Sequence, residues 1–149
     1  MIEAIKQLRK NVEQWQRSLP GVVLESVKEN EGQIIDLNTE EQLMKGLDSD
    51  GQAITPMYTP FTVSIKRSKG QPTDRVTLKD EGDFHRSFKI AYGGDSFAIF
   101  ADDPKTQKLQ RKYGNEVFGL TDDNLQETIE ITKDDLAEKS HKIIFTNLG

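Results

Sequence analysis

Apolar residues recur every three or four positions at the beginning of the chain, which is the spacing of one face of an amphipathic helix. They are Ile2, Ile5, Leu8, Val12, Trp15 and Leu19. Pro20 follows this stripe, and proline disfavours helical geometry in the residue before it. We therefore expect a helix over residues 2–19 and a second, short helix over residues 23–27.

A capping signature follows at Thr39. A threonine with a glutamine three residues later, here Gln42, is typical of the first turn of a helix. Gly46 can adopt the left-handed conformation that commonly ends a helix. The pattern predicts a short helix over residues 40–45.

The middle of the chain consists of short alternating stretches separated by glycines and prolines. Residues 61–65 alternate apolar and polar side chains, which predicts a half-buried strand, and residues 67–72 predict a polar loop. Residues 88–92 and 96–101 predict two further strands, joined by a turn at residues 93–95 that contains two glycines. We expect these two strands to form an antiparallel hairpin.

Four apolar residues and one glycine are predicted to have structural roles. Gly82 is expected in a turn that no side chain fits well, and this turn should direct Phe84 and Phe88 into the core. Phe118 and Leu120 are expected to anchor the last helix of the chain.

Two helices are predicted in the last third of the chain. A basic helix runs from about residue 102 to Lys112 and is broken at Gly114. A long helix begins after Thr121, whose side chain can cap it, and the acids that follow suit its positively polarised start. Its expected inner stripe is Leu125, Ile129, Thr132 and Leu136.

These elements together predict an α+β fold, in which an antiparallel sheet packs against N- and C-terminal helices. We expect a single domain over residues 1–149. An alternative arrangement makes residues 1–45 a helical arm.

Composition narrows the class of protein. The 149 residues carry a net charge of −5, with no cysteine and two histidines. A disulfide framework, a thiolate metal site and a cysteine nucleophile are therefore excluded. The negative charge argues against a general nucleic-acid binder. No apolar run approaches the ~18 residues of a membrane helix, so we expect a cytoplasmically made protein without membrane contact.

The net charge conceals strong alternation along the chain. Residues 22–51 carry eight acids and two bases, and residues 116–138 carry eight acids and one base. Residues 61–92 carry seven bases and four acids, and residues 105–112 carry four bases and no acid. Such blocks can be ordinary solvated faces, or they can let copies of the chain dock head to tail.

Few residues suggest catalysis. Asp80, Asp83 and His85 could gather around a divalent cation, as in a metal-dependent phosphohydrolase or nuclease, but acids beside a glycine turn are common and their spacing is unspecific. We expect no enzyme activity, no catalytic or metal-binding residue and no cofactor. Lys66, Arg67 and Lys69 could touch a phosphate backbone or form a solvated loop tip, and they are the predicted contacts to a partner or a second subunit.

A partial resemblance to a known family covers residues 65–129. A basic segment at residues 66–70 leads into Val76-Thr77-Leu78-Lys79-Asp80-Glu81-Gly82-Asp83-Phe84-His85-Arg86-Ser87-Phe88. Tyr113-Gly114 follows the predicted hairpin and short helix, and Val117-Phe118-Gly119-Leu120-Thr121 opens the last helix. This order resembles the tail-completion, or head–tail joining, proteins of tailed bacteriophages.

The resemblance implies a non-enzymatic virion protein at the phage neck. Such a subunit forms a ring, often a hexamer, between the portal or connector and the tail tube, and DNA is only passing cargo. A bacterial protein-interaction module unrelated to phage remains an alternative, as does the metal-dependent hydrolase.

Overall fold

A computed structural model describes residues 1–148 of the chain as six α-helices and one β-hairpin. The elements in chain order are α1 (Ile2–Glu29), α2 (Glu31–Thr39), α3 (Pro60–Ser68), α4 (Asp83–Arg86), β1 (Phe88–Gly93), β2 (Ser96–Ala101), α5 (Thr106–Tyr113) and α6 (Asp122–Ile144). Two short 3-10 turns lie at Leu43–Lys45 and Asn115–Val117. This is an α+β domain, as predicted.

Helix α1 does not end before Pro20, contrary to the prediction. It continues to Glu29 and includes the segment that we expected to be a separate helix. Proline removes one backbone hydrogen bond, but Pro20 is exposed, so water can reach the carbonyl that it frees. Val22, Ser26 and Val27 are buried beyond it. Packing of these three residues stabilises the helix on the far side of the proline.

The predicted short helix at residues 40–45 is also wrong. Thr39 ends α2 instead of capping a new helix, and its hydroxyl donates to the Ile35 carbonyl. The side chain of Gln42 binds a distant segment of the backbone instead of reaching back to Thr39. Gly46 does adopt the left-handed conformation (φ 73°) and follows a 3-10 turn.

Residues 61–65 form part of a helix, although we predicted a strand. The side chain of Thr59 caps α3 by accepting a hydrogen bond from the Thr62 backbone N–H at 3.3 Å, and Pro60 occupies the first turn. Residues 76–78 are extended without strand pairing, and the Tyr58 hydroxyl accepts hydrogen bonds from two of their backbone N–H groups. The chain therefore contains one hairpin and no third strand within residues 1–148.

The predicted hairpin is confirmed. Strands β1 and β2 pair in antiparallel register, with Phe88 opposite Ala101 and Ile90 opposite Ile99. These four side chains are buried on one face of the hairpin. Tyr92, further along β1, donates its hydroxyl hydrogen to the Glu31 carboxylate of α2 at 2.8 Å. The hairpin is thus fixed against the helices by apolar packing and a hydrogen bond.

Two C-terminal helices are present as predicted, but α5 begins at Thr106 and not at about residue 102, so Pro104 lies outside its first turn. The inner stripe of α6 also differs from the prediction. Thr121 caps α6, and its hydroxyl oxygen accepts from the Asn124 backbone N–H. Thr128 is the buried residue of α6, while Leu125 is 44% and Ile129 is 53% exposed. Two large apolar side chains of the predicted stripe therefore face solvent.

Helices α1 and α6 pack against each other in antiparallel directions. The Asn11 amide on α1 donates to the carbonyls of Ile144 and Thr146, and the Trp15 indole N–H donates to Ser140 at 2.8 Å. Lys139 of α6 donates to Glu29 near the other end of α1. The N-terminal helix is therefore joined to the rest of the domain along its length beyond its first turns.

Candidate interaction surfaces

Two buried amide side chains hold the segment 117–121 in place. The Asn38 side chain donates to the Val117 carbonyl at 3.0 Å and accepts from the Gly119 N–H at 2.9 Å. Gln42 donates to the Gly119 carbonyl and accepts from the Thr121 N–H, each at 2.9 Å. Each amide thus donates to one backbone carbonyl and accepts from one backbone N–H, as the backbone of a paired β-strand does. Their bonds fix the approach to α6.

The predicted turn and anchor residues lie in or against the core. Gly82 lies in a turn with φ 96°, a left-handed conformation that disfavours other residues. Phe84 and Phe88 are buried in the core with their rings 5.1 Å apart in an edge-to-face arrangement. Phe118 and Leu120 are half-buried against the same core, just before α6. Residues 118–120 therefore join the core to a surface beside the last helix.

Lys66, one of the three predicted contact residues, lies inside the protein. It is 8% exposed, and its ammonium group donates to the Lys79 carbonyl at 2.9 Å and to the Gln71 side chain at 3.3 Å. It also lies 4.8 Å above the centre of the Tyr58 ring. Lys66 therefore holds the loop after α3 against the domain, and this position does not support a partner contact.

The other two predicted contact residues are on the surface. Lys69 forms an ion pair with Asp80 at 2.8 Å, which raises the pKa of Lys69 and lowers that of Asp80. Arg67 is exposed at the last turn of α3. Arg67 and Lys69 remain predictions for a contact with a partner.

Helix α3 also presents an apolar face to solvent, which the sequence analysis missed. Phe61 is 76% exposed, and Ile65, one turn later, is 41% exposed. Met57, in the segment before the helix, is also exposed. We call Phe61 and Ile65 the α3 apolar face. The sequence analysis missed this face because it interpreted the alternation of residues 61–65 as a strand. A half-buried strand would have placed Phe61 and Ile65 in the core.

A groove of about 450 Å³ lies between α1, β2 and the start of α6. Its apolar lining comes from Val23, Leu24, Phe97, Phe118, Leu120 and Leu125. We call this feature the α1–α6 groove. Ile129, one turn beyond Leu125, continues the exposed apolar surface along α6. The groove is formed by segments far apart in sequence, so no local pattern could have predicted it.

Charged residues of the basic and acidic blocks lie in different elements. Lys105, just before α5, shares a cleft with Lys66 of α3, and the three bases of α5 itself are exposed: Lys108, Arg111 and Lys112. Asp95 lines the α1–α6 groove. Asp122 and Asp123, at the start of α6, are exposed and line a different pocket, together with residues between 41 and 51.

The residues of the alternative metal site are engaged elsewhere. Asp80 pairs with Lys69, and Asp83 pairs with Arg86. His85 is buried, and its Nε2 lies 2.8 Å from the Thr77 carbonyl oxygen. Within residues 1–148, no group of three or more acidic or histidine side chains could hold a metal ion. The structure gives the hydrolase alternative no site at these positions.

Comparison of the chain with family models, curated proteins and solved structures finds no match. In the part of the chain that the structure describes, no helix combines the length and the apolar character needed to cross a membrane.

Proposed function

We propose that this chain is a non-enzymatic structural subunit of a bacteriophage virion, of the tail-completion or head–tail joining class. It acts by assembling with copies of itself and with neighbouring neck proteins. In this proposal the subunits form a ring, sixfold in the form that the resemblance implies, between the connector and the tail tube. The ring encloses the path of the DNA, which passes through as cargo.

One observation carries the proposal beyond the sequence resemblance. The domain leaves two separate apolar surfaces exposed, the α3 apolar face and the α1–α6 groove. Exposed apolar surface rimmed by charged residues is typical of protein interaction sites. A subunit in a closed ring uses two different surfaces for its two neighbours, which is the arrangement that these two surfaces would allow.

The proposal is tested by measuring assembly of the full-length chain. We expect mass to rise with protein concentration in sedimentation velocity, and ring-shaped particles in negative-stain images, either alone or with a purified portal as template. Portal and tail-tube genes beside its own would agree with this class.

Two results would contradict the proposal. The first is a strict monomer at all concentrations that also fails to bind the portal. The second is magnesium-dependent cleavage of a phosphodiester substrate that is lost in Asp83→Ala.

A further inference from the structure

We infer that a cleft between α3 and α5 binds a phosphate dianion, either as the free ion or as the terminal phosphate of a small ester. The cleft is lined by Lys66 of α3 and by Leu109 and Tyr113 of α5, among others, and we call it the α3–α5 cleft. The inference goes beyond the proposed function and does not depend on it, because a single chain forms the whole cleft.

The lining of the α3–α5 cleft carries more positive than negative charge. Lys66, Lys79 and Lys105 line it, and Asp80 is the one acid among its described lining residues. The Asp80 carboxylate is already paired with Lys69. Three ammonium groups and one carboxylate leave a surplus of two positive charges in the lining. A phosphate monoester carries close to two negative charges at neutral pH and matches this surplus, whereas a carboxylate carries one.

Lys66 places one of these positive charges inside the protein. Its ammonium group bonds to the Lys79 carbonyl and the Gln71 side-chain oxygen, and it lies over the Tyr58 ring. All three of these partners are neutral. Lysine is almost never buried unless its charge is paired. The position of Lys66 therefore favours a negative charge in the cleft beside it.

Polar donors of the cleft also lack acceptors. The Tyr58 hydroxyl accepts hydrogen bonds from the backbone N–H groups of Thr77 and Leu78, at 2.9 and 3.3 Å, which leaves its own hydrogen to donate. Within residues 1–148 no acceptor pairs with that hydrogen or with the ammonium groups of Lys79 and Lys105. Phosphate oxygens accept several charge-assisted hydrogen bonds at once, so one such group can satisfy donors of this kind together.

The backbone beside the cleft is strained. Leu78 lines the cleft in the left-handed conformation (φ 57°), which leucine rarely adopts. The Tyr58 hydroxyl holds the N–H of Leu78, and Lys66 holds the carbonyl of Lys79, the next residue. Strained residues persist where their surroundings enforce them, and they cluster at sites that bind ligands. These bonds form this wall of the cleft without a ligand.

The size of the cleft restricts the ligand to a small one. Its volume of about 170 Å³ is far larger than the ~10–15 Å³ that one water needs, and it can hold a phosphate group. Phe84, Leu109 and Tyr113 make the rest of its lining apolar. A phosphodiester of DNA has one negative charge and continues on both sides, so it matches the charge and the size of the cleft less well.

Thermal melting in phosphate tests the inference. The melting midpoint of the unaltered chain should rise saturably with sodium phosphate, beyond its change in sodium chloride of equal ionic strength, because a ligand of the folded state stabilises that state. Lys79→Met and Lys105→Met each remove one charge from the cleft and should lose most of this rise. Lys108→Met removes an exposed charge outside the described lining and should keep it.

The comparison of variants separates binding from the general effect of phosphate on protein stability. That general effect comes from exclusion of the salt from the protein surface, so it would raise the midpoints of all four chains equally. Such an equal rise would overturn the inference, and so would a midpoint that follows ionic strength alone. Circular dichroism before melting checks that each variant is folded.

Amide chemical shifts locate the bound ion. In a nitrogen-labelled chain, phosphate should shift the signals of residues 77–80 and Lys105 more than those of the α1–α6 groove, and Lys105→Met should reduce these shifts. Shifts concentrated away from the cleft would contradict the assignment.

Two further ligands distinguish the source of the phosphate. A nucleoside monophosphate that binds more tightly than inorganic phosphate would assign the cleft to a phosphate ester, and equal or weaker binding would assign it to the free ion. Acetate that raises the midpoint as much as phosphate does would overturn the assignment to a dianion. None of these results bears on the proposed function, which the assembly measurements test separately.

Discussion

Asn38 shows how a single buried side chain can determine the position of a distant segment. It lies on α2, yet both hydrogen bonds of its amide reach the backbone around residue 118. Deleting one partner of a buried hydrogen bond lowers the free energy of unfolding by more than the bond itself contributes. The reason is that the remaining group stays buried with neither a partner nor water. Residues of this kind therefore affect stability more strongly than their size suggests.

Asn38→Leu should destabilise the fold by about 2–5 kcal/mol, since it leaves the Val117 carbonyl and the Gly119 N–H buried without partners. Urea denaturation measures the change. Gln33→Leu, an exposed position on the same helix, should change the free energy of unfolding by less than about 0.5 kcal/mol. Equal effects of the two substitutions would show that the amide bonds carry no special weight.

His85 should make stability depend on pH. Burial lowers the pKa of its imidazole, and the nearby Lys79 ammonium lowers it further, while the bond to the Thr77 carbonyl and the Glu40 charge oppose the shift. Nε2 faces the Thr77 carbonyl, and Nδ1 is buried without a partner in the described residues, so the neutral ring fits and a second proton does not.

The sign follows from the proton uptake of the two states. Below the ordinary imidazole pKa of about 6.5, the unfolded chain binds a proton that the folded chain does not, so stability falls as pH decreases. We expect the unaltered protein to lose more stability between about pH 7.5 and 5.5 than His85→Gln does. Urea midpoints across this range measure the difference, and parallel curves would contradict the assignment.

Helix α3 shows how an element acquires separate roles on its two sides. Its inner side is fixed by Lys66, whose ammonium bonds to carbonyl oxygens in the loop that follows, and its outer side carries Phe61 and Ile65. A polar residue therefore holds the helix in place and leaves its apolar residues exposed. This inversion of the usual pattern is the reason to regard the outer side as a contact surface.

Lys66→Met should lower the free energy of unfolding by about 1–3 kcal/mol, since it removes a buried donor from the Lys79 carbonyl. Lys69→Met is the matched control, because Lys69 is exposed and its ion pair with Asp80 is screened by water. Thermal melting should show a lower midpoint for the first variant and little change for the second. If Lys66 and Lys69 proved equally dispensable, the anchoring role would be wrong.

The elements that the sequence predicted correctly are those with local signals. The Gly93-Gly94 turn defines the hairpin, and Thr121 caps α6 with a bond to a residue three positions on. The predictions failed where contacts between residues far apart in sequence determine the local structure. Five alternating residues at 61–65 fit a strand as well as a short helix, and the role of Gln42 depends on residues 119–121. The groove combines α1, β2 and α6, which no local pattern places together.

At the scale of the whole molecule, the distribution of charge matters more than its total. The net charge of −5 implies mutual repulsion between copies, yet Lys105, just before α5, and the acids at the start of α6 line different pockets of the surface. At close range, oppositely charged surfaces of two copies attract each other. The repulsion between their net charges is weak, because salt screens it. Orientation therefore decides whether two copies attract or repel.

Self-association should weaken as salt is raised from about 0.05 M to about 0.5 M, since screening lengths fall below the distance between facing charges. Sedimentation velocity at several salt concentrations measures this dependence. Asp95→Lys, which reverses an exposed acid that lines the groove, should weaken association at low salt and make it less sensitive to salt. Association that is indifferent to salt would mean that the charged sides are only solvated faces.

The hydrogen bond from Trp15 to Ser140 has a practical consequence. Trp15 is the single tryptophan of the chain, and its indole lies between the two longest helices. Its fluorescence emission spectrum therefore reports on the contact between α1 and α6, without any added label. A red shift that precedes the loss of helical signal during denaturation would mean that α1 detaches first, and coincident changes would mean that the domain unfolds as one cooperative unit.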